Sequence, residues 1–343
     1  MTPAIFGLAG PRLSDNERAF FREADPVGYI LFARNCEDRE QMRALADDLR
    51  TTHGRDRLFL SIDQEGGRVS RMKPPVWPRY PAGEVFDMLY KAAPLSAVEA
   101  ARANAEAMGH ELAACGITVN YHAPLDVRRA ETDSVIGDRA LGHDPMQVAA
   151  LGRAMIDGFA RAGVVGCLKH MPGHGRAMVD SHKELPVVTA SAEELEADIA
   201  PFRQLAQTPV GMSAHIVFTA WDADNPATLS PMIITNIIRE TIGFDGLLLT
   251  DDIDMEALSG TVPERAERAI AAGCDVVLNC WARMNDMEGI ASRLPPLSAR
   301  GGERLARALD LVQVDGDAME RAQRAGALLA KRDALLAAAG LSV

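Results

Sequence analysis

The chain has 343 residues, of which 48% are hydrophobic and 24% charged, a composition typical of a globular protein with a large buried core. Its formal net charge of −12 argues against nucleic-acid and anionic-membrane partners, because both select clustered Lys and Arg. Five cysteines without a C-x-x-C pair predict buried free thiols in a reducing compartment. The sequence has neither a basic secretory leader nor an apolar stretch of bilayer length, so we expect a cytoplasmic protein.

Short apolar runs, each followed by a turn and a helical pattern, recur along the chain. Most are rich in Leu and β-branched residues, as expected for parallel strands covered on both faces. The predicted strands are 5–8, 28–32, 58–63, 118–123, 165–169, 210–214, 247–251 and 275–279. Eight strands alternating with helices predict an α/β protein with a (β/α)8 TIM-type barrel, and a doubly wound open sheet is the alternative. No G-x-G-x-x-G follows the first strand, so a dinucleotide site has no support.

Several helix ends can be located from the sequence. Capping boxes are predicted at three places, namely Ser14-x-x-Glu17, Ser96-x-x-Glu99 and Ser191-x-x-Glu194. Left-handed C-caps are predicted at four glycines, Gly116, Gly163, Gly243 and Gly273. Residues 313–341 form a helical pattern, which predicts a terminal helix covering the outside of a single catalytic domain that spans residues 1–343.

Polar residues follow most of the predicted strands. They are Asp63, His122, Asp126, Lys169, His170, His215, Asp251 and Asp252. One of them alone would be a helix cap, but a barrel places its active site at the carboxyl ends of its strands, so together they predict a site. Asp252 and Asp254 are expected to cap a helix that begins near Met255, which leaves Asp251 for chemistry. A carboxylate at this position can attack an anomeric carbon and form a covalent glycosyl intermediate.

The segment 169–182 contains three histidines and an aspartate, so a metal site must be considered. Pro172 and Gly173 separate His170 from His174, however, so these two do not share a helical face, and there is no H-E-x-x-H motif. We therefore expect neither a metal nor another cofactor. The segment predicts a loop that closes over the site, with Gly173 and Gly175 as hinges.

At the end of this loop Asp180 precedes His182 by two residues. If the loop turns sharply, Asp180 can hold His182 in one tautomer and stabilise its protonated form. An imidazole with an unperturbed pKa of about 6.5 suits a group that acts first as an acid and then as a base near neutral pH. For an isolated Asp-x-His, a surface histidine without a role is the simpler interpretation.

Three further side chains suit a sugar ligand. Asp63, at a strand end, can accept hydrogen bonds from sugar hydroxyls. Arg71 and Arg139 can donate a fork of hydrogen bonds to ring substituents. Either arginine alone would be taken for a surface residue.

Taken together these motifs resemble the β-N-acetylhexosaminidase branch of glycoside hydrolase family 3, bacterial cytoplasmic enzymes of cell-wall recycling. The resemblance extends over nearly the whole chain. It rests on Asp63-Gln-Glu-Gly-Gly-Arg-Val, Ala123-Pro-Leu-Asp-Val, Ile136-Gly-Asp-Arg, the Lys169-His-Met-Pro-Gly-His-Gly loop with its Asp180-Ser-His ending, and Thr250-Asp-Asp. Met171 stands where these enzymes usually have Phe, and residues 131–135 depart from the family pattern.

The resemblance implies a retaining β-N-acetylhexosaminidase with assigned residues. The catalytic residues it implies are Asp251 as nucleophile, His182 as acid/base and Asp180 as the partner of His182. The residues it implies for holding N-acetylglucosamine are Asp63, Arg71, Arg139, Lys169 and His170. The expected substrate is a muropeptide with N-acetylglucosamine β-1,4-linked to 1,6-anhydro-N-acetylmuramic acid, and we expect the enzyme to act as a monomer.

Three alternatives stay open at this point. A metal-dependent barrel hydrolase would use His170, His174 and His182. A phosphorolytic enzyme would transfer the sugar to phosphate instead of water. A non-catalytic relative would bind sugar on the same barrel, although the joint presence of Asp251, Asp180 and His182 argues against it.

Overall fold

A computed structural model describes residues 1–129, 136–179, 181, 184–313 and 316–343 of the protein. Within these residues eight parallel strands close into a barrel: β1 (Thr2–Gly7), β2 (Pro26–Leu31), β3 (Phe59–Ile62), β4 (Val119–Asn120), β5 (Val165–Met171), β7 (Val210–Ser213), β9 (Leu247–Asp252) and β10 (Val276–Asn279). Their order around the barrel is β1-β10-β9-β7-β5-β4-β3-β2. Two short strands, β6 (Val187–Val188) and β8 (Val217–Phe218), pair separately. The predicted closed barrel is confirmed, and each predicted strand is present.

Helices surround the barrel and connect its strands. They are α1 (Asp15–Ala24), α2 (Arg39–His53), α3 (Gly83–Ala92), α4 (Pro94–Ala114), α5 (Pro145–Arg161), α6 (Ala192–Gln204), α7 (Val262–Ala272), α8 (Met284–Arg293), α9 (Ala299–Leu309) and α10 (Ala318–Ala337), with a π-helix at Ile233–Thr241. The predicted terminal helix is α10, which packs against α4 through a 2.9 Å hydrogen bond from Arg332 to Asn104. In the described ranges, no helix combines the length and apolarity needed to span a bilayer.

The helix ends follow the sequence signals with two exceptions. Ser14 and Ser191 form the predicted capping boxes, and the four predicted C-cap glycines all have φ between +78° and +114°. The box at Ser96 was wrong, because Pro94 starts α4 two residues earlier with a φ preset for the first helical position. No helix begins near Met255 either, since turns follow β9 and α7 starts at Val262.

The strands are buried on both faces, and the largest core side chains are aliphatic or aromatic. All five cysteines are free thiols, and all but Cys36 are fully buried, as predicted. Close packing between neighbouring strands depends on glycine at one position. A Cβ added at Gly28 on β2 would lie 2.0 Å from the carbonyl oxygen of Phe59 on β3.

We therefore expect Gly28→Ala to lower the free energy of unfolding by about 1–3 kcal/mol, the usual cost of overpacking a core. Gly302→Ala is the matched control, because it lies inside α9 with no atom within 4 Å of an added Cβ. There alanine should raise the free energy of unfolding by up to about 1 kcal/mol. Denaturant unfolding measures both changes, and equal stability of the two variants would contradict this view of the β2–β3 contact.

Candidate active site

The carboxyl ends of the barrel strands, called the mouth below, carry a chain of alternating charges. Lys169 on β5 donates from Nζ to Asp63 Oδ1 at 2.9 Å and to Glu65 Oε1 at 2.7 Å. Arg139 completes the chain with a two-pronged contact, from Nε and Nη2 to the two oxygens of Glu65 at 2.9 and 2.7 Å. Burial disfavours the charged form of Glu65, but the two cations outweigh it and hold the pKa of Glu65 well below its usual value.

The members of this network differ in exposure. The side chains of Lys169 and Glu65 are 2% and 4% exposed, whereas that of Asp63 is 18% exposed. Asp63 Oδ2 also lies 3.5 Å from Arg71 Nη2, a long contact. Asp63 is thus the carboxylate that a ligand at the mouth can reach, and Glu65 is the buried support beneath it.

A second buried carboxylate organises the start of the loop after β5. Asp126 Oδ1 accepts from the backbone N–H groups of His170 at 3.1 Å and His174 at 2.7 Å. Asp126 Oδ2 lies 2.8 Å from His170 Nδ1. Because a carboxylate only accepts, Nδ1 carries a proton, which fixes the tautomer of the ring and directs Nε2 away from Asp126.

The loop after β5 is firmly packed over its first part. Arg176 donates to Asp198 on α6 at 2.7 Å. A Cβ at Gly175 would lie 1.9 Å from the Val127 carbonyl oxygen, so this glycine permits a close contact, and its role as a hinge stays a prediction. His174 Nε2 lies 3.2 Å from the hydroxyl of Ser181, which is buried. The flanking residues Asp180 and His182 lie outside the described residues, so their predicted roles stay predictions.

Asp251 stands near the end of β9, where its Oδ1 accepts from the backbone N–H of Asp252 at 2.8 Å. The next two carboxylates have structural partners. Asp252 Oδ1 accepts from the N–H groups of Asp254 and Cys280 at 3.1 and 3.3 Å, and Asp254 Oδ2 accepts from Asn279 at 2.7 Å. Burial, reinforced by Asp254, raises the pKa of Asp252 well above its usual value. Asp252 and Asp254 therefore tie β9 to β10 instead of capping a helix.

Two other polar residues at strand ends are buried. His215 contacts Thr228 Oγ1 at 2.9 Å and the Asp252 carbonyl oxygen at 3.0 Å, and burial lowers its pKa. Neither ring nitrogen of His122 has a hydrogen-bond partner among the described residues, and burial lowers its pKa to about 4. A neutral imidazole is expected at both positions near pH 7.

The structure joins the predicted Asp63, Arg71, Arg139 and Lys169 through ion pairs in one network. The predicted His170 follows Lys169 on β5 and pairs with Asp126. Arg139 donates from Nε and Nη2 to Glu65, so Nη1 is the one nitrogen of its guanidinium not bonded to Glu65. The two-pronged hydrogen bonding to a sugar that was predicted for Arg139 is therefore limited. Sequence reasoning missed the supporting roles of Glu65, Asp126 and Ser181. Glu65 lies in the same motif as Asp63, and Asp126 follows a strand, so both signals were present.

The arrangement offers a partly exposed carboxylate, buried cations and a tautomer-fixed imidazole at the same end of the barrel as Asp251, which suits the binding of hydroxyl-rich, uncharged ligands. The described residues contain no cluster of three or more His, Cys, Asp and Glu placed to hold a metal ion.

The pKa of Asp126 gives a stability test. Burial opposes its ionisation, but His170 and the hydrogen bonds lower its pKa to about 2. A depressed folded-state pKa adds stability that is fully present above the unfolded value near 3.9 and is lost as pH falls towards 2. Asp126→Asn should therefore cost about 2–4 kcal/mol in the free energy of unfolding at pH 7, and the difference from wild type should narrow below about pH 4.

Denaturant unfolding between pH 7 and pH 3 measures this difference. Asp310→Asn is the control, because Asp310 is a surface carboxylate, 73% exposed beside Arg57, and its loss should change stability by less than about 0.5 kcal/mol. A difference for Asp126→Asn that is equally large at pH 3 and pH 7 would show that its charge does not stabilise the loop.

Comparisons with known proteins agree with this geometry. The model of the glycosyl hydrolase family 3 N-terminal domain matches residues 8–306. Proteins named beta-hexosaminidase from Bordetella avium and Alkalilimnicola ehrlichii are 37% and 39% identical over 283 residues, covering 81% of this chain and 80% of each relative. The crystal structure of NagZ from Neisseria gonorrhoeae in complex with N-trifluoroacetyl-D-glucosamine superposes with a TM-score of 0.86 at 30% identity, covering 98% of both chains. Matched in sequence over most of its length and in structure over nearly all of it, the chain belongs to glycosyl hydrolase family 3 and is a glycoside hydrolase.

Proposed function

We propose that this enzyme is a retaining β-N-acetylhexosaminidase that releases terminal β-linked N-acetylglucosamine by double displacement. The observation that carries the proposal is the Asp63–Lys169–Glu65–Arg139 network at the same end of the barrel as Asp251, since it presents one reachable acceptor for sugar hydroxyls. The relatives named beta-hexosaminidase and the glucosamine derivative bound to the neisserial structure support the choice of sugar.

The sugar is held on one side of the mouth in this proposal. Asp63 accepts from ring hydroxyls, with Arg71 and Lys169 fixing its two oxygens. His170, oriented by Asp126, adds a polar contact at Nε2. The remaining η nitrogen of Arg139 donates to a ring substituent. Selectivity for the 2-acetamido group follows if polar groups of the site lose their partners when that group is missing.

Two displacements then proceed through Asp251. Its carboxylate attacks the anomeric carbon while His182 gives a proton to the leaving oxygen, which breaks the glycosidic bond. His182 next takes a proton from water, the water oxygen attacks the same carbon, and the bond to Asp251 breaks, so configuration is retained. Asp180 orients His182 and stabilises its protonated form. Ser181, which lies between them in the sequence, contacts His174 in the loop after β5.

The physiological substrate in this proposal is a 1,6-anhydro-muropeptide, and the enzyme acts as a cytoplasmic monomer of cell-wall recycling without a metal or other cofactor. Water, not phosphate, accepts the sugar. A metal-dependent or phosphorolytic reaction finds no comparable support among the described residues.

The role of His182 can be tested with leaving groups of different quality. A general acid matters most for a poor leaving group, so His182→Ala should slow cleavage of a natural disaccharide by about 10²–10⁴-fold. With a nitrophenyl aglycone the first step should suffer much less, while the second step still lacks its base. The glycosyl-enzyme should then accumulate, which stopped-flow detection of nitrophenol records as a burst.

Asp180→Asn should show the same pattern more weakly, because the imidazole remains but loses its orienting charge. His143→Ala is the matched control, since His143 is exposed and contacts only the Arg128 carbonyl oxygen among described residues. Equal slowing for good and poor leaving groups, without a burst, would reduce His182 to a substrate-positioning residue.

A further inference from the structure

The turn after β10 is formed by residues 281–283 and is called the mouth turn below. It carries an exposed aromatic ring with a cationic side chain above the face of that ring. The Trp281 side chain is 59% exposed, and the Arg283 guanidinium carbon lies 5.6 Å from its ring centroid. Ala282 between them has φ +54°, a left-handed conformation that a residue with a Cβ rarely adopts. Such a conformation persists only where its surroundings hold it in place.

Three contacts hold the mouth turn. The N–H groups of Cys280 and Trp281 both donate to Asp254 Oδ2, at 3.2 and 3.4 Å. From the other side Arg34 donates to the Cys280 carbonyl oxygen. Gly7 makes room for that carbonyl, because an added Cβ would lie 2.2 Å from its oxygen.

The position of the mouth turn places it beside the proposed nucleophile. Leu278 on β10 pairs with Asp252 on β9, so the end of β10 is adjacent to Asp251. Burial is the main cause that raises the pKa of the Cys280 thiol. The negative charges of nearby carboxylates, Asp63 and Asp251 among them, raise this pKa further. A ligand that extends from the proposed sugar site can therefore reach the mouth turn.

Cationic side chains lie next to the mouth turn, although the whole chain has a net charge of −12. Phe32 has the guanidinium groups of Arg34 and Arg71 at 4.9 and 4.8 Å from its ring centroid. Arg283 makes no ion pair with any of the described residues, so its charge is available to a ligand. Exposed aromatic and cationic groups at one rim fit a ligand with an apolar face and a negative charge.

We infer that Trp281 and Arg283 recognise the leaving group of the substrate, with Trp281 stacking on the apolar face of its sugar ring and Arg283 pairing with a carboxylate of the peptide that this ring carries. The inference rests on the proposed function and adds to it the residues that select an acidic aglycone. Both act as specificity determinants and neither takes part in proton transfer.

The test compares two substrates that differ only in charge. One is N-acetylglucosamine β-1,4-linked to 1,6-anhydro-N-acetylmuramoyl-L-alanine with its free alanine carboxylate, and the other is the neutral primary amide of the same compound. Wild type should prefer the acid in kcat/KM by about fivefold, the effect of one solvent-accessible ion pair. Arg283→Gln should abolish the preference.

Trp281→Ala should raise KM for both substrates by about tenfold with kcat little changed, because stacking stabilises ground state and transition state alike. Trp281→Phe should restore most of the binding. Arg324→Gln is the control for a lost surface charge, because Arg324 is 61% exposed on α10 and pairs with Glu320. It should leave the preference intact.

Each outcome is informative. The assignment of the mouth turn is overturned, while the proposed function stands, if the wild type turns over both substrates and one of two results is found. Either Arg283→Gln leaves the acid-to-amide ratio of kcat/KM unchanged, or Trp281→Ala leaves KM unaltered. Failure of the wild type to hydrolyse either substrate, with the fold intact, overturns the proposed function and this inference together.

Discussion

The buried ammonium group of Lys169 is the constraint on which the candidate site depends. Removing a charge from water costs several kcal/mol, and here the cost is offset only if both Asp63 and Glu65 stay ionised and in place. Glu65 needs Arg139 in turn, so the four charges sum to zero and hold one another. Loss of Glu65 would leave Arg139 without its carboxylate and Lys169 with one carboxylate instead of two, so the geometry of Asp63 at the mouth depends on the whole network.

The barrel supplies what such a network needs. Asp63 follows β3 and Lys169 lies on β5, and parallel strands bring both to the same end of the barrel. Buried residues then support partly exposed ones: Glu65 lies beneath Asp63, and Asp126 fixes the ring of His170. This two-layer construction keeps the groups that face a ligand rigid, which limits the reorganisation needed during reaction.

Much of this could be predicted from the sequence, because local patterns determine it. Apolar runs ending in a polar residue predicted the barrel and the placement of Asp63, Lys169 and Asp251 at its mouth. The pairing of Glu65 with Arg139 could not be predicted, since these residues are 74 positions apart and nothing local pairs them. Local reasoning also misjudged Ser96, where Pro94 overrides the capping signal, and it did not foresee the close contact of Gly175 with Val127.

The proposed mechanism requires that Asp251, and not its neighbour Asp252, is the nucleophile. Asp252 is half-buried, its carboxyl group accepts from two backbone N–H groups, and its raised pKa favours the neutral acid, which is a poor nucleophile. Asp251 is thereby left as the carboxylate at the end of β9 that can attack the anomeric carbon. Trapping the glycosyl-enzyme with a slow fluorinated N-acetylglucosaminyl substrate, followed by peptide mass spectrometry, tests this most directly. We expect one sugar label per chain, on Asp251. A label on Asp252 or on a peptide outside residues 247–254 would contradict the assignment of Asp251 as the nucleophile.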